Sequence, residues 1–588
     1  MYEVVVGIDF GSSGTGFAYS FFDKNKIIHG QIYGASVDYK APTEIILDDN
    51  EYIIQFGANC KQYLKEKGLE TNHYFKDIKM QLYENKRTIK AKNTGKEFPL
   101  KLVIQKVLEK IKELAIKEIS KSRPKLGKET NKIKWVVTVP AIWNETQKSI
   151  MMESCIGAGL ISRNTDKSLF FALEPEAASL YCSINKEIDQ DYFQKGEYYI
   201  VCDLGGGTGD IVAHLVGSNN NLNEIHPSCG GNFGSNEIDK SIFKDIIFKL
   251  FKCQDFNSFY IKYKQKNGDK IDKDVEDDEK LQLFENWSEL EREIKDFKEG
   301  ATNKKIENNE KYTLNFTLFR EIFDDNTDIN NLLNEYNSNI YDDDLHLKAK
   351  KNRNKWIIEF PYKIIYNYIE EQSNSICKII NDINSKEEIK TLIFVGGYCS
   401  NEILISLIKD GLNKITTYLQ PSNPSLSIME GAVLFGINPS TINVRKAKYT
   451  IGRALNKIWD EEKHAEKGKK YKGEITGGWF CKDCFDKYIT INQNLRYQEE
   501  ISRSGYPVNT DQFKFNITIY KTKKPNPTFV FEEGVTKIGN CFLEIGNEFE
   551  EYKDKKIITT MKFGGTFIDV TSVHEKSGKS VKTTLTFD

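Results

Sequence analysis

Two runs of the chain share one plan. Val4-Val5-Val6-Gly7-Ile8 leads into Asp9-Phe10-Gly11-Ser12-Ser13-Gly14-Thr15-Gly16, and Tyr199-Ile200-Val201-Cys202 leads into Asp203-Leu204-Gly205-Gly206-Gly207-Thr208-Gly209-Asp210. In each, a short continuous apolar run reads as a strand buried on both faces, and it stops at an Asp followed by a turn rich in glycine and hydroxyls. The two Asp residues lie 194 residues apart, which predicts a duplication into two related half-domains. Extended sequence follows both turns, Gly16-Phe17-Ala18-Tyr19-Ser20 and Ile211-Val212-Ala213. Each turn is therefore expected at the tip of a β-hairpin. Neither is a Walker loop, since GxxxxGK followed by Ser or Thr does not occur, and neither opens a helix as a dinucleotide-binding turn does.

A glycine-rich turn gathers backbone N–H groups in a concavity and, lacking Cβ atoms, lets a phosphate chain approach closely. Two such turns predict phosphates gripped from both sides. Mg²⁺ takes octahedral oxygen ligands and keeps most of its waters, so one or two carboxylates with phosphate oxygens suffice. Asp9 and Asp203 are expected in that role, directly or through water, with Ser12, Ser13, Thr15 and Thr208 offering hydroxyls to the terminal phosphates.

Strands and helices alternate through the first 440 residues. Trp135-Val136-Val137-Thr138-Val139 reads as a buried strand closed by Pro140, and Asn144 with Gln147 as a capping box for a helix reaching Gly157 and Gly159. Leu100, Val103, Val107, Ile111 and Leu114 predict an amphipathic helix over 99–121. A third turn, Thr391-Leu392-Ile393-Phe394-Val395-Gly396-Gly397, precedes a helix for which Ser400 is the candidate N-cap. This is α/β architecture. Residues 266–355 turn Asp/Asn/Lys-rich and read as solvated insertions, within which Trp287 to Lys298 keeps a helical pattern that sets Glu291 and Lys295 on one face. Beyond about 440 the period becomes two. Phe513, Phe515, Ile517 and Ile519, and later Val581, Thr583, Leu585 and Phe587, alternate with polar residues around an expected turn at Glu575–Lys579. A separate, mainly antiparallel β domain is expected there.

Composition excludes several classes of function. The 588 residues predict roughly four structural units. With 83 Lys+Arg against 85 Asp+Glu, bulk charge offers nucleic acid or an anionic membrane no general attraction. No window approaches the ~18 apolar residues of a membrane span, the first residues lack the basic region of a secretory leader, and the C-terminal TLTFD is not a retention address. A cytoplasmic or nuclear protein is expected. The 11 cysteines follow no regular framework, as reduced thiols do. Cys481-Lys482-Asp483-Cys484 has neither a second CxxC nor a His pair to complete four zinc ligands, so its thiols read as structural, with metal or redox use as the alternative.

The segments DFGSSGTGFAYS, VVTVPAIWN, ALEPEAASLY, DLGGGTGD and FVGGYCSN together resemble the nucleotide-binding domain shared by actin, sugar kinases and the seventy-kilodalton heat-shock chaperones. VTVPA and EPEAA are most similar to the chaperones. LEPEAASLYC, CFDKYI, EEISRSGYP, MKFGGT and DVTSV resemble the atypical heat shock protein twelve branch.

The resemblance implies a two-lobed, actin-like ATPase domain of duplicated ribonuclease H-like halves, with ATP or ADP and Mg²⁺ between them. Lobe I would span 1–190 and be completed by about 415–440, lobe II 191–414, and a divergent β domain 441–588. Gly11, Ser12, Ser13 and Gly14 would form the first phosphate loop and Gly205, Gly206, Gly207 and Thr208 the second; Gly234 lies in the loop that resembles the family's lobe-two glycines, although Phe233-Gly234-Ser235-Asn236 lacks the usual double Gly. Gly396 and Gly397 would form the adenosine-side turn, and Glu291 and Lys295 lie where the family holds ribose and adenine. Lys79, with Lys76 as runner-up, is the cation expected near the γ-phosphate; Glu174 and Asp203 would orient the attacking water or accept its proton.

Some positions depart from the family. Pro140 and Lys148 match the pair through which the lobes communicate, but Lys lacks the fork of the usual Arg. Ser400 stands where an adenine-stacking Arg is common and Ser425 where an Asp is, implying weaker nucleotide contacts. The acidic-leucine linker is replaced by Arg445-Lys446-Ala447-Lys448, and neither a helical lid nor an EEVD tail follows, so docking of co-chaperones that read that tail is not expected. The function implied is a chaperone-like protein in which Mg²⁺-dependent ATP hydrolysis controls a C-terminal domain holding protein clients or signalling partners; the alternative is a nucleotide-sensing scaffold with little ATPase activity. A sugar kinase lacks its sugar-pocket signature here, and the appended β domain argues against a filament.

Overall fold

A computed structural model describes residues 2–585 except 25, 33–38, 71, 163–166, 186, 268–275, 316–328, 353–354, 475–476, 508–511 and 550. Parts of the Asp/Asn/Lys-rich region 266–355, namely 268–275, 316–328 and 353–354, and Phe587 lie outside the described residues.

The duplication is visible in strand register. Val4–Phe10 pairs antiparallel with Gly14–Phe21 and parallel with Ile133–Val139, which in turn pairs parallel with Leu169–Leu173. Tyr198–Leu204 repeats this, antiparallel to Gly209–Val216 and parallel to Thr391–Val395, itself parallel to Thr417–Leu419. Asp9 faces Gly16 in the first hairpin and Asp203 faces Asp210 in the second, so the 194-residue offset holds position by position. Both turns are hairpin tips, as the extended sequence on either side requires.

The central strands are buried along their length, Val4–Phe10 without exception, because helices cover both sheets. Leu100–Ser122 packs its Val103, Val107 and Ile111 stripe on one face of the first sheet. On the other face, helices Glu174–Ile184 and Ser427–Ile437 share one apolar core with both sheets, joining Val5 and Val136 to Val201 and Val212. Their crossing is close: a Cβ at Gly431 would sit 1.8 Å from the Ala177 carbonyl oxygen. The helix after Asn144 carries the expected capping box with Gln147 and runs Glu145–Gly157. After the third turn the N-cap is Asn401, whose side chain accepts from the Leu404 amide, rather than Ser400, whose hydroxyl donates to the Gly397 carbonyl. The 3₁₀ turn Gly397–Ser400 moves the helix start one residue on.

Beneath this core His214 is buried, with Ser179 Oγ 2.9 Å from its Nδ1. Burial drops its pKa from the usual 6.5 to about 4, Glu176 opposing and Arg445 adding to the fall. The folded state therefore binds this proton less readily than the unfolded state, and its contribution to stability is lost as pH falls from about 6.5 to about 4. The wild-type chain should lose up to about 3 kcal/mol relative to His214→Gln over that window, measured by denaturant unfolding at each pH.

After residue 446 two antiparallel sheets stack as a sandwich. One has Lys469–Lys472, Trp479–Ile489, Thr450–Ile458, Lys514–Thr522 and Thr536–Glu544 in spatial order; the other Glu499–Gly505, Ile557–Phe563, Ile568–His574 and Ser580–Leu585. Phe515, Ile517 and Ile519 point into the shared core with Met561 and Val570, as the alternation predicts. Among the described residues after 441 the longest α-helix is Glu461–His464.

The junction departs from a simple linker. Ile442–Lys446 and Asn494–Arg496 extend the second lobe's sheet. Arg445 grips both carboxylate oxygens of Glu176 at 2.6 Å and donates to the Gly564 carbonyl. Thr566 Oγ donates to the Phe171 carbonyl at 2.5 Å, and Phe567 meets the Phe171 ring edge-on. The basic segment thus joins helix Glu174–Ile184 to the sandwich.

Candidate nucleotide site

The hairpin tips face each other at the base of a cleft of about 1650 Å³. A Cβ added to Gly206 would lie 2.1 Å from Ser13 Oγ, and one on Gly207 would lie 2.2 Å from Ser12 Oγ. Only glycine permits this approach, so the two loops form one cradle. The second loop is held from behind: the Asn236 amide donates to the Gly206 carbonyl at 2.8 Å, and Gly234 packs on the Gly206–Gly207 backbone. The first is held by Thr43, whose hydroxyl donates to the Gly11 carbonyl at 2.8 Å. Nothing in local sequence marked Thr43; the Lys40–Pro42 strand brings it beside Gly14–Phe21.

Behind the cradle lie four buried carboxylates, Asp9, Glu174, Asp203 and Asp210, with Lys79 among them. Lys79 Nζ donates to Glu174 Oε1 at 2.5 Å. Burial pulls the Lys79 pKa down, but Glu174 and Asp9 outweigh it and raise it overall, so the ammonium persists. Burial lifts the Glu174 carboxyl to about 7, against the pull of Lys79 and with help from Asp210 and Asp9. Asp203 is driven well above the ordinary carboxylate range, first by burial and then by Glu174, Asp210 and Asp9. The cluster has too little positive charge for its carboxylates.

That imbalance and one further observation test the expected Mg²⁺. Asp203 Oδ1 is buried and makes no hydrogen bond among the described residues. An oriented carboxylate oxygen amid surplus negative charge, at the mouth of a phosphate cradle, fits a hard dication that retains waters. Asp9 is partly engaged, its Oδ2 accepting from Lys40 Nζ at 2.6 Å and its Oδ1 from Thr138 at 3.3 Å. Asp203 is thus the freer of the two predicted ligands. Lys40 and Asp210 are the charged members that the motif reading did not name; the Asp203↔Asp210 register pair could have supplied the second.

Lys76 faces elsewhere: its Nζ donates to Glu291 Oε2 at 2.5 Å, bridging the cleft between segments 215 residues apart. Of the two candidate cations, Lys79 is the one among the buried carboxylates behind the glycine loops. Lys295 pairs with Glu299 at 3.5 Å rather than with Glu291, though Glu291 and Lys295 both line the cleft. Gly396 has φ +87°, and a Cβ there would lie 2.6 Å from Asp203 Oδ1, so this turn abuts the base of the second hairpin; Gly397, Ser400 and Ser425 also line the cleft. Gly11, Gly14, Gly205 and Thr208 complete the lining of the phosphate end. Lys148 lies near Lys448, whose Nζ donates to the Ala141 carbonyl at 2.8 Å beside Pro140.

Comparison with known proteins agrees with this geometry. The family model described as Hsp70 protein matches residues 37–307. Heat shock 70 kDa protein 12A of Homo sapiens is 26% identical over 660 residues, covering 99% of this chain and 91% of its own length. Heat shock 70 kDa protein 12B of Homo sapiens is 25% identical over 664 residues, covering 100% and 91%. Chaperone protein DnaK of Endomicrobium trichonymphae is 30% identical over 163 residues, 28% of this chain and 23% of its own. With the duplicated hairpins and the lobes they build, these matches support an Hsp70-like chain, similar over nearly its whole length to the atypical heat shock 70 kDa protein 12 branch.

Proposed function

We propose that the chain binds ATP with Mg²⁺ in this cleft, hydrolyses it slowly, and uses the nucleotide state to control what its C-terminal sandwich holds. The buried Lys79–Glu174 pair beside two facing glycine hairpins carries the reading. Phosphoryl transfer to water needs positioning and charge compensation more than covalent chemistry. Asp203 and Asp9 would hold the metal, which when bound would offset charge on the phosphate oxygens. Lys79 stands ready to meet the terminal phosphate, Glu174 to orient a water and take its proton, and the glycine hairpins to fix the phosphate chain.

Single-turnover hydrolysis tests the chemical roles. Glu174→Gln keeps the shape and removes the base; the rate should fall about a hundredfold while ATP affinity changes little. An unchanged rate rejects Glu174. Titration with ATP and with ADP, following affinity and lobe closure, tests binding, and pull-downs in the two nucleotide states test control of the sandwich.

One observation favours a second reading, a nucleotide-sensing scaffold of little activity. Arg445 ties Glu176, in the helix Glu174–Ile184, to Gly564 of the sandwich where a mobile linker would serve a chaperone cycle. Strong stimulation of hydrolysis by J-domain proteins would reject the scaffold. For either reading we place the protein in the cytoplasm or nucleus, which fractionation checks.

A further inference from the structure

Cys481 and Cys484 sit three apart on strand Trp479–Ile489, where a regular strand would point them to opposite faces. The strand is not regular. Opposite Thr450–Ile458, Cys484 pairs with Leu455 and Cys481 with Lys457, so the ladder carries an extra residue, and Asp483 takes φ +60°. Such a bulge re-aims side chains. Both thiols turn inward, 0% and 1% exposed.

The chain then supplies a third group from outside the motif. His464 closes the short Glu461–His464 helix, itself capped by Asp460 accepting from the Glu462 and Lys463 amides. His464 Nε2 lies 3.8 Å from Cys484 Sγ, and the three donor atoms all fall within 4.8 Å of one another. Tetrahedral Zn²⁺ with Zn–S of about 2.3 Å and Zn–N of about 2.0 Å spaces its ligands about 3.5–3.8 Å apart. Closing the remaining gap takes small side-chain movements. The surroundings are those of a shielded site: the rings of Trp459 and Phe529 stand 5.6 and 6.0 Å from the His464 ring, and Gly468 approaches so closely that a Cβ would lie 2.9 Å from Cys481 Sγ.

We infer that His464, Cys481 and Cys484 bind one Zn²⁺, with water in the fourth position, and that the ion clips the 459–472 excursion to the sandwich. Two thiolates and an imidazole are the donor set of a thiophilic cation, not of Mg²⁺ or Ca²⁺. On binding, both thiols release their protons to solvent and the imidazole proton resides on Nδ1. The Asp460 amide, which donates to Nδ1 at 2.9 Å, turns to water from its half-buried position.

The test uses the full chain. After equilibrium dialysis against Zn²⁺, elemental analysis should find one equivalent in the wild type and in the control Cys229→Ser, and none in Cys484→Ser. His464→Gln should weaken binding by at least about a hundredfold. Co²⁺ in place of Zn²⁺ should give the wild type a sulfur-to-metal charge-transfer band, which decides the matter even if Cys484→Ser fails to fold. Equal metal content in wild type and His464→Gln, absence of that band, or a Cys481–Cys484 disulfide that excludes metal would each overturn the proposal.

Discussion

Gly206→Asp will bind ATP at least about a thousandfold more weakly than the wild-type chain, a loss of about 4 kcal/mol, in a titration containing Mg²⁺. Two effects add. A Cβ at this position meets Ser13 Oγ at 2.1 Å and Asn236 Nδ2 at 3.4 Å, so the hairpins must part before any side chain fits. The carboxylate then faces the phosphates, and two unit charges about 4 Å apart repel by about 4 kcal/mol at an effective dielectric constant of 20. Gly206→Ala separates the effects, because it keeps the steric wedge without the charge and should lose less. Asp203→Asn should abolish the Mg²⁺ dependence of binding, since its amide cannot replace the buried oxygen that stands without a partner. Thermal melting of the nucleotide-free variants checks that the lobes still fold. Wild-type affinity in both Gly206→Asp and Asp203→Asn would reject the nucleotide assignment.

Arg445→Ala will destabilise the chain by about 3–5 kcal/mol in denaturant unfolding. Glu176 is 0% exposed, and both its oxygens rest on Arg445. Removing the arginine leaves a buried carboxylate with no bidentate partner and also strips the Gly564 carbonyl of a donor. The double variant Glu176→Leu with Arg445→Met should recover most of the loss, because an ion pair replaced by apolar groups of similar volume costs little. Recovery would mark the single-variant loss as the penalty of an orphaned charge. The unfolding curve of Arg445→Ala should also become less cooperative, since this contact and Thr566 to Phe171 join the sandwich to the first lobe. A loss below about 1 kcal/mol would mean that the junction is held elsewhere.

The parts of this protein legible in its residues are those governed by local pattern. Buried strands, hairpin tips, the capping box at Asn144 and the alternation at Phe515, Ile517 and Ile519 follow from periodicity and turn chemistry within a few neighbours. Asp203 and the glycines of the cradle were legible because the duplication repeats them at a constant offset. Lys79 was named through resemblance to a family, since a lone lysine in a helix carries no such mark. Lys40 and Thr43 were not legible at all. Their part in the first loop depends on a two-strand pairing that puts residue 40 opposite residue 16.

By itself the sequence determined the duplicated α/β lobes, the two glycine-rich hairpins and the β character of the last 150 or so residues, since short-range apolar periods and glycine spacing encode them. Only the tertiary structure decided which charges meet. It set Lys76 on Glu291 and Lys79 on Glu174, turned a basic segment from a linker into a clamp on Glu176, and brought His464 to Cys481 and Cys484 through one bulge. Those pairings join residues distant in the chain, and a buried charge or thiol takes its partner from whatever the packing of the lobes and sheets brings within reach.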